Sequence, residues 1–253
     1  MKGTASAAFE RLSHKGYAFV PAAEAAATLK VGVGELGALR ASWSRLPRDG
    51  YLRDGGRYRS RRHSCFVLDP GACTLLPVAH RAHWQPTSYN ALHGGIERWF
   101  EAIEASVTGS QVWAQLLTSI GLLFGRVRSV ERWYIEAHQF RIDTEGGIGR
   151  PTPEGAHRDG VDFVALILVE RCGVRGGETR VFEADGPNGV RFTMSEPWSM
   201  LLMDDARVVH ETTPIQPDAG SGFRDTLVLT YRAGGFLAPE SRETGQSDDP
   251  SRH

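Results

Sequence analysis

The stretch PEGAHRDGVDFVALILVERCGVRGGETRVFE, from Pro153 to Glu183, decides the fold. Its centre, VDFVALILV, is continuously apolar and rich in β-branched residues, which is how a strand covered on both faces reads. Just before that run stand His157 and Asp159, two residues apart. A strand repeats every two residues, so extended backbone there projects both side chains to one face. Two hydrophilic, metal-capable groups at the mouth of a buried strand raise the question of a third.

Outward from this segment the chain is full of strands. RWYIEAHQFRI alternates in the manner of a half-buried strand, and GGETRVFE, WSMLLMD, RVVHET and DTLVLTYR follow, with Gly, Pro, Asn or Asp between them. The N-terminal part reads as helical. Phe9 and Leu12 have helical spacing, AAEAAATLKVGVGELGALRASWSRL is rich in Ala and Leu but interrupted by glycine, and GYAFV between them is a short strand. In SQVWAQLLTSIGLLFGRV, Val112, Leu116, Ile120 and Leu123 share a helix face that suits packing on a sheet. Helices first and short strands later predict an α+β protein with a sandwich or barrel core. We expect one domain over 1–253: helix-rich over 1–128, a strand-rich metal-binding core over 129–235, and a polar tail over 236–253. The polar ends, MKGTAS and SRETGQSDDPSRH, are expected to fray.

A chain of 253 residues can bury a substantial core. With 29 Lys and Arg against 30 Asp and Glu, no global charge argues for nucleic acid or an anionic membrane as partner. No stretch reads as a membrane span, and the N-terminus lacks the apolar core of a signal peptide. Cys65, Cys73 and Cys172 are too few and too irregular for a disulfide framework or a zinc ribbon, so we expect reduced thiols and a cytoplasmic location. The basic cluster RDGGRYRSRRHSCF, Arg53 to Phe66, reads first as a solvated, arginine-rich hairpin or loop, and second as a contact for an anion or substrate.

The third ligand comes from LLMDDARVVHETTPIQP, where His210 follows an apolar strand and a turn. Two neutral imidazoles and one carboxylate leave metal positions open for dioxygen and a bidentate co-substrate, which suits non-haem Fe(II). A structural zinc would fill four positions with protein ligands, usually including cysteine. The bland alternatives are a turn histidine for His157 and a satisfied core histidine for His210. Arg224 opens RDTLVLTYR, and Thr226 shares its face. A guanidinium holds a distal carboxylate bidentately and a hydroxyl adds a hydrogen bond, which makes a site for 2-oxoglutarate. Arg224 could otherwise be a surface residue paired with Asp225.

The blocks DGYLRDGGRYRSRRHSCF, QPTSYNALHGGIERWFE, EAHQFRI, PEGAHRDGVDF, GGETRVF, HETTPI and RDTLVLTYR carry a wider resemblance. The chain resembles 2-oxoglutarate/Fe(II)-dependent dioxygenases, and more narrowly the bacterial group that hydroxylates free L-amino acids, to which isoleucine dioxygenase belongs. The resemblance implies a double-stranded β-helix (jelly-roll, cupin-like) core with N-terminal and flanking helices. It places Fe(II) on His157, Asp159 and His210, with Arg224 holding 2-oxoglutarate. It implies hydroxylation of an unactivated C–H bond by O2, with release of succinate and CO2. The partner is then a small molecule, a free L-amino acid.

In WYIEAHQFRI, Glu136 and His138 share one face while Gln139 and Arg141 share the other. The inward set would grip the amino acid's ammonium and carboxylate, but a slip of one residue reverses which set that is. The block Arg57 to Arg62 could also present an arginine to the substrate carboxylate. GGET, Gly176 to Thr179, reads as a tight turn entering a strand. HGGI, His93 to Ile96, is a loop or a lid, with His93 structural. Two other readings stay open: the same cofactors acting on a carrier-tethered amino acid or another small molecule, and a non-catalytic cupin-like metal-binding protein. Arg224 with Thr226 argues against the last, because a passive metal site needs no dicarboxylate clamp.

Overall fold

The computed structural model describes residues 4–90 and 92–239, so most of the polar C-terminal tail expected above lies outside the described residues. The N-terminal region forms α1 (Thr4–Lys15), β1 (Tyr17–Val20), α2 (Ala22–Leu29), α3 (Val33–Leu39) and a 3-10 turn (Arg40–Arg45). The glycine-interrupted helical stretch is thus several short pieces, with Lys30 in a left-handed conformation ending α2. Next come β2 (Arg59–Asp69), β3 (Thr74–Pro77), α4 (Ala105–Thr108) and α5 (Gln111–Val127). The strand-rich half contains β4 (Trp133–Asp143), β5 (Phe163–Cys172), β6 (Val174–Gly176), β7 (Glu178–Glu183) and β8 (Gly189–Thr193). It closes with β9 (Met200–Asp204), β10 (Val208–Thr212), β11 (Ile215–Pro217) and β12 (Phe223–Arg232).

Seven strands make the main sheet in the order β1-β9-β5-β12-β4-β2-β3, and every pairing is antiparallel. A three-stranded sheet, β10-β7-β8, and a two-stranded one, β11-β6, complete the double-stranded β-helix. The region called helix-rich therefore also supplies β1, β2 and β3 to the main sheet.

The apolar run of β5 is explained by its two covered faces. Phe163, Ala165, Ile167 and Val169 belong to the core shared with the helices, whereas Val164, Leu166 and Leu168 pack with Val181, Leu201 and Val208 between the sheets. Helix α5 caps its start with Ser110, whose hydroxyl accepts the Trp113 N–H. It buries Leu116, Ile120 and Leu123 as its periodicity predicts, and Trp113, Leu117 and Phe124 with them. Each such side chain stabilises the fold by about 1.5–3 kcal/mol. Three aromatic residues in this layer have their polar tips paired: Trp133 donates to the Gly121 carbonyl, Tyr231 to Leu117 and Trp43 to Thr226, whereas the Trp113 Nε1–H has no partner.

The basic cluster departs from the solvated-loop reading. Its second half is β2, paired along its length with β4, and Arg59, Arg61 and His63 are almost fully buried. The register explains this. Phe66 and Leu68 face the helical core, so the residues of opposite parity, from Arg59 to Cys65, face the interior between the sheets.

Candidate active site

Positions of one parity on β4 and β12 line a cavity between the sheets. From β4 these are Tyr134, Glu136, His138, Phe140 and Ile142, and from β12 Arg224, Thr226, Val228, Thr230 and Arg232. Gln139 and Arg141 lie on the other face, which corrects their candidacy as substrate ligands. Gln139 donates to Ser42 at 2.8 Å, and Arg141 forms a bidentate pair with Asp225 at 2.6 and 2.8 Å. That pair also removes Asp225 as a partner for Arg224.

His157, Asp159 and His210 converge, with their ligand atoms within 4.8 Å of one another. The pair does not sit in β5 itself, which begins at Phe163, but in the segment leading to it. There His157 forms an isolated antiparallel bridge with His210. The Nδ1–H of His157 donates to the Gly155 carbonyl at 2.9 Å, leaving the Nε2 lone pair for a metal. Nε2 of His157 and of His210 stand 3.9 and 3.8 Å from the Asp159 carboxylate, too far for hydrogen bonds and near enough for one ion to touch all three. These residues fit a metal with open positions. Burial works against protonating His157, but Asp159 and Glu154 outweigh it and raise its pKa; burial, with His157 nearby, pushes His210 down to about 4.

Asp205, missed in the sequence, holds this segment in place. Its carboxylate accepts the backbone N–H groups of Asp159, Gly160 and Val161 at 2.9, 2.8 and 3.2 Å. Burial and the neighbouring Asp159 raise its pKa to about 6. Gly160 has a φ of +78°, and an added Cβ would lie 2.5 Å from the Tyr89 ring, so only glycine turns the chain here.

Arg224 is 2% exposed and lines the cavity, yet its Nε and Nη2 have no hydrogen-bond partner. Burial, and then Arg171, lowers its pKa to about 10, so it is still a cation at neutral pH. A buried guanidinium that faces the cavity and has no carboxylate partner among the described residues suits an incoming dicarboxylate, and Thr226 stands beside it on the same strand face. Gly177 of the expected turn approaches the Arg224 stem with a φ of +69°.

A second polar group lies on the β2–β4 side of the same cavity. Glu136 Oε2 is 2.5 Å from His83 Nδ1, 3.3 Å from His63 Nε2 and 3.6 Å from His138 Nε2. Arg61 Nη2 is 2.8 Å from His138 Nδ1. Arginine only donates, so Nδ1 accepts and the proton of His138 sits on Nε2, facing Glu136. Burial lowers the pKa of His63, His83 and His138, so all three are neutral at pH 7. Burial alone would raise Glu136, but His83 and His63 overcome it and keep the group ionised. The four donors also satisfy metal-ligand spacing. Two features weigh against a metal there: His138 has no lone pair free on Nε2, and buried Arg61 and Arg98 would repel a dication. The arrangement is a hydrogen-bonded carboxylate. Arg61 is sandwiched by Phe100 and Phe140 at 3.8 and 4.5 Å, and Arg98 donates to Gln85 at 2.9 Å; neither has a carboxylate ion-pair partner among the described residues.

Arg98, Gln85 and His83 come from the segment between β3 and α4, which carries no strand or helix pattern to announce it. His63 and Arg61 stand in the polar run RSRRHSCF, which carries no apolar alternation to mark its inward face, so only the pairing of β2 with β4 reveals them. His93 is buried, accepts a backbone N–H from Arg53, and does not line the cavity.

A family model described as 2OG-Fe dioxygenase matches residues 40–230. No curated protein matches the chain. The crystal structure of a bsmA homolog from Methylobium petroleophilum PM1 is 52% identical, with a TM-score of 0.89, covering 93% of this chain and 95% of that one. The structure of IDO from Bacillus thuringiensis is 17% identical, with a TM-score of 0.74 and coverage of 92% and 98%. The Fe(II)/α-ketoglutarate-dependent dioxygenase TqaL is 16% identical, with a TM-score of 0.68 and coverage of 92% and 90%. These last two show a shared fold. No helix among the described residues is long and apolar enough to cross a membrane.

Proposed function

We propose, since the chain belongs to the 2OG-Fe dioxygenase family, that it hydroxylates an unactivated C–H bond of a free L-amino acid and releases succinate and CO2. The family's cofactors are Fe(II), 2-oxoglutarate and O2, and once bound they supply the oxidising chemistry such a bond requires. His157, Asp159 and His210 hold the iron, while Arg224 and Thr226 bind the distal carboxylate of 2-oxoglutarate.

The observation that carries the substrate reading is a grouping of opposite charges, two cations and one anion, in one cavity. Arg61 and Arg98 are buried cations without a carboxylate partner, and Glu136 is a buried anion beside them. An α-carboxylate and an α-ammonium match that arrangement, and a zwitterion adds no net charge to the cavity. Of the four candidates on β4, Glu136 and His138 keep a role. Glu136 receives the ammonium, and His138 orients Arg61 and Glu136. The substrate carboxylate goes to Arg61, within the Arg57 to Arg62 block, and to Arg98.

The test is a panel of proteinogenic amino acids with ornithine and citrulline, incubated with Fe(II), 2-oxoglutarate and O2. Mass spectrometry should find one added oxygen matched by stoichiometric succinate. Succinate without any hydroxylated free amino acid would favour a carrier-tethered or other small-molecule substrate.

A further inference from the structure

Gln85 spans the two halves of the cavity. It is 7% exposed, and its Oε1 accepts from Arg98 Nη2 at 2.9 Å and Asn90 Nδ2 at 3.3 Å. Both partners are donors, so the amide orientation is settled and Nε2–H faces the other way. There it meets Asp159, with 3.4 Å to Oδ1 and 3.5 Å to the backbone carbonyl. The segment that carries it is stiff. His83 and Arg98 exchange two backbone hydrogen bonds at 2.9 and 3.0 Å, and the Gly95 N–H donates to the Gln85 carbonyl at 2.8 Å. One amide therefore runs from a guanidinium in the substrate cavity to a carboxylate of the metal triad. Its contact with Asp159 is long for a hydrogen bond, so small movements of the amide change it by a large fraction.

We infer that Gln85 is a positioning residue that couples occupancy of the Arg98 subsite to the metal affinity of Asp159. The inference rests on the reading of Arg98 as a holder of the substrate carboxylate. With that subsite empty, Arg98 polarises the amide and strengthens its N–H as a donor to Asp159 Oδ1, which withdraws electron density from a metal ligand. A carboxylate on Arg98 offsets that polarisation, and Asp159 becomes a better ligand. Linkage is reciprocal, so metal in turn tightens the amino acid.

The experiment is an anaerobic Co(II) titration followed by visible absorption, with and without an amino acid that binds in a thermal-shift assay. In the wild-type protein the amino acid should tighten Co(II) about fivefold, at the low end of ordinary coupling. In Gln85→Leu the two Co(II) constants should agree within error, although the amino acid still binds. Gln85→Asn keeps the amide one methylene short of Asp159 and should behave likewise, which covers the case where the leucine variant does not fold. A wild-type ratio of one with an amino acid that binds, or either variant retaining the fivefold ratio, overturns the coupling while leaving the proposed function intact. If no amino acid binds the wild-type protein, the proposed function falls and takes this inference with it.

Discussion

His157 and His210 face each other across an antiparallel bridge, each backbone N–H donating to the other's carbonyl at 3.0 Å. Directly opposed residues in such a bridge place their side chains on the same side, and the two rings lie 4.6 Å apart. The backbone pairing thus preorganises two metal ligands that come from separate parts of the chain.

Replacing His210 by Ala should keep the fold and abolish tight metal binding. Adding Co(II) should raise the melting temperature of the wild-type protein through mass action and leave the His210→Ala midpoint unmoved. Hydroxylated product should fall below detection in the same variant. Full turnover in it would remove His210 from the triad.

Arg224→Ala should raise the KM for 2-oxoglutarate by about ten- to a hundredfold, since a charge-assisted hydrogen bond to a carboxylate contributes about 1.5–3 kcal/mol. The Co(II) affinity of the variant should stay within about twofold of wild type. Steady-state kinetics with varied 2-oxoglutarate read the first effect, and an unchanged KM would refute the role.

Arg61 and Arg141 provide a matched contrast, because they belong to neighbouring strands but opposite faces. Arg61→Ala should raise the amino acid KM about tenfold or more, equivalent to about 1.4 kcal/mol. Arg141→Ala should leave that constant within about twofold but lower stability by about 2–3 kcal/mol, because buried Asp225 loses its partner. Urea titration and substrate kinetics on both variants separate the two outcomes. A substrate defect in Arg141→Ala would return that face of β4 to the binding site.

The histidines around Glu136 predict a pH dependence of stability. Burial holds His83 at about 4 in the folded protein, against about 6.5 in an unfolded chain. Between those values the unfolded state binds a proton that the folded state refuses, so stability rises with pH across the window and is lost as pH falls toward 4. Melting curves from pH 7.5 to 4.5 should show this slope, and His83→Gln should flatten it. An equal slope in the variant would assign the effect to other groups.

The sequence alone determined many local features: helix α5, strands β1, β4, β5, β7, β9, β10 and β12, the burial of β5, and the spacing of His157 and Asp159. Those follow from periodicity and residue type, which act over a few neighbours. It also marked Arg224 and Thr226, because sharing a strand face is a matter of parity. It did not determine which parity of β4 faces the cavity, so Gln139 and Arg141 stood level with Glu136 and His138 until the helical layer claimed the other side. Nor did it show that Arg59 and Arg61 are buried, because a row of arginines reads as solvated unless the strands beside it and the cavity in front of it are known. Gln85, Arg98 and Asp205 come from irregular segments or from the end of a strand, where no period points a side chain anywhere. Their roles depend on contacts across long stretches of chain, and only the packing of the two sheets around the cavity creates those contacts.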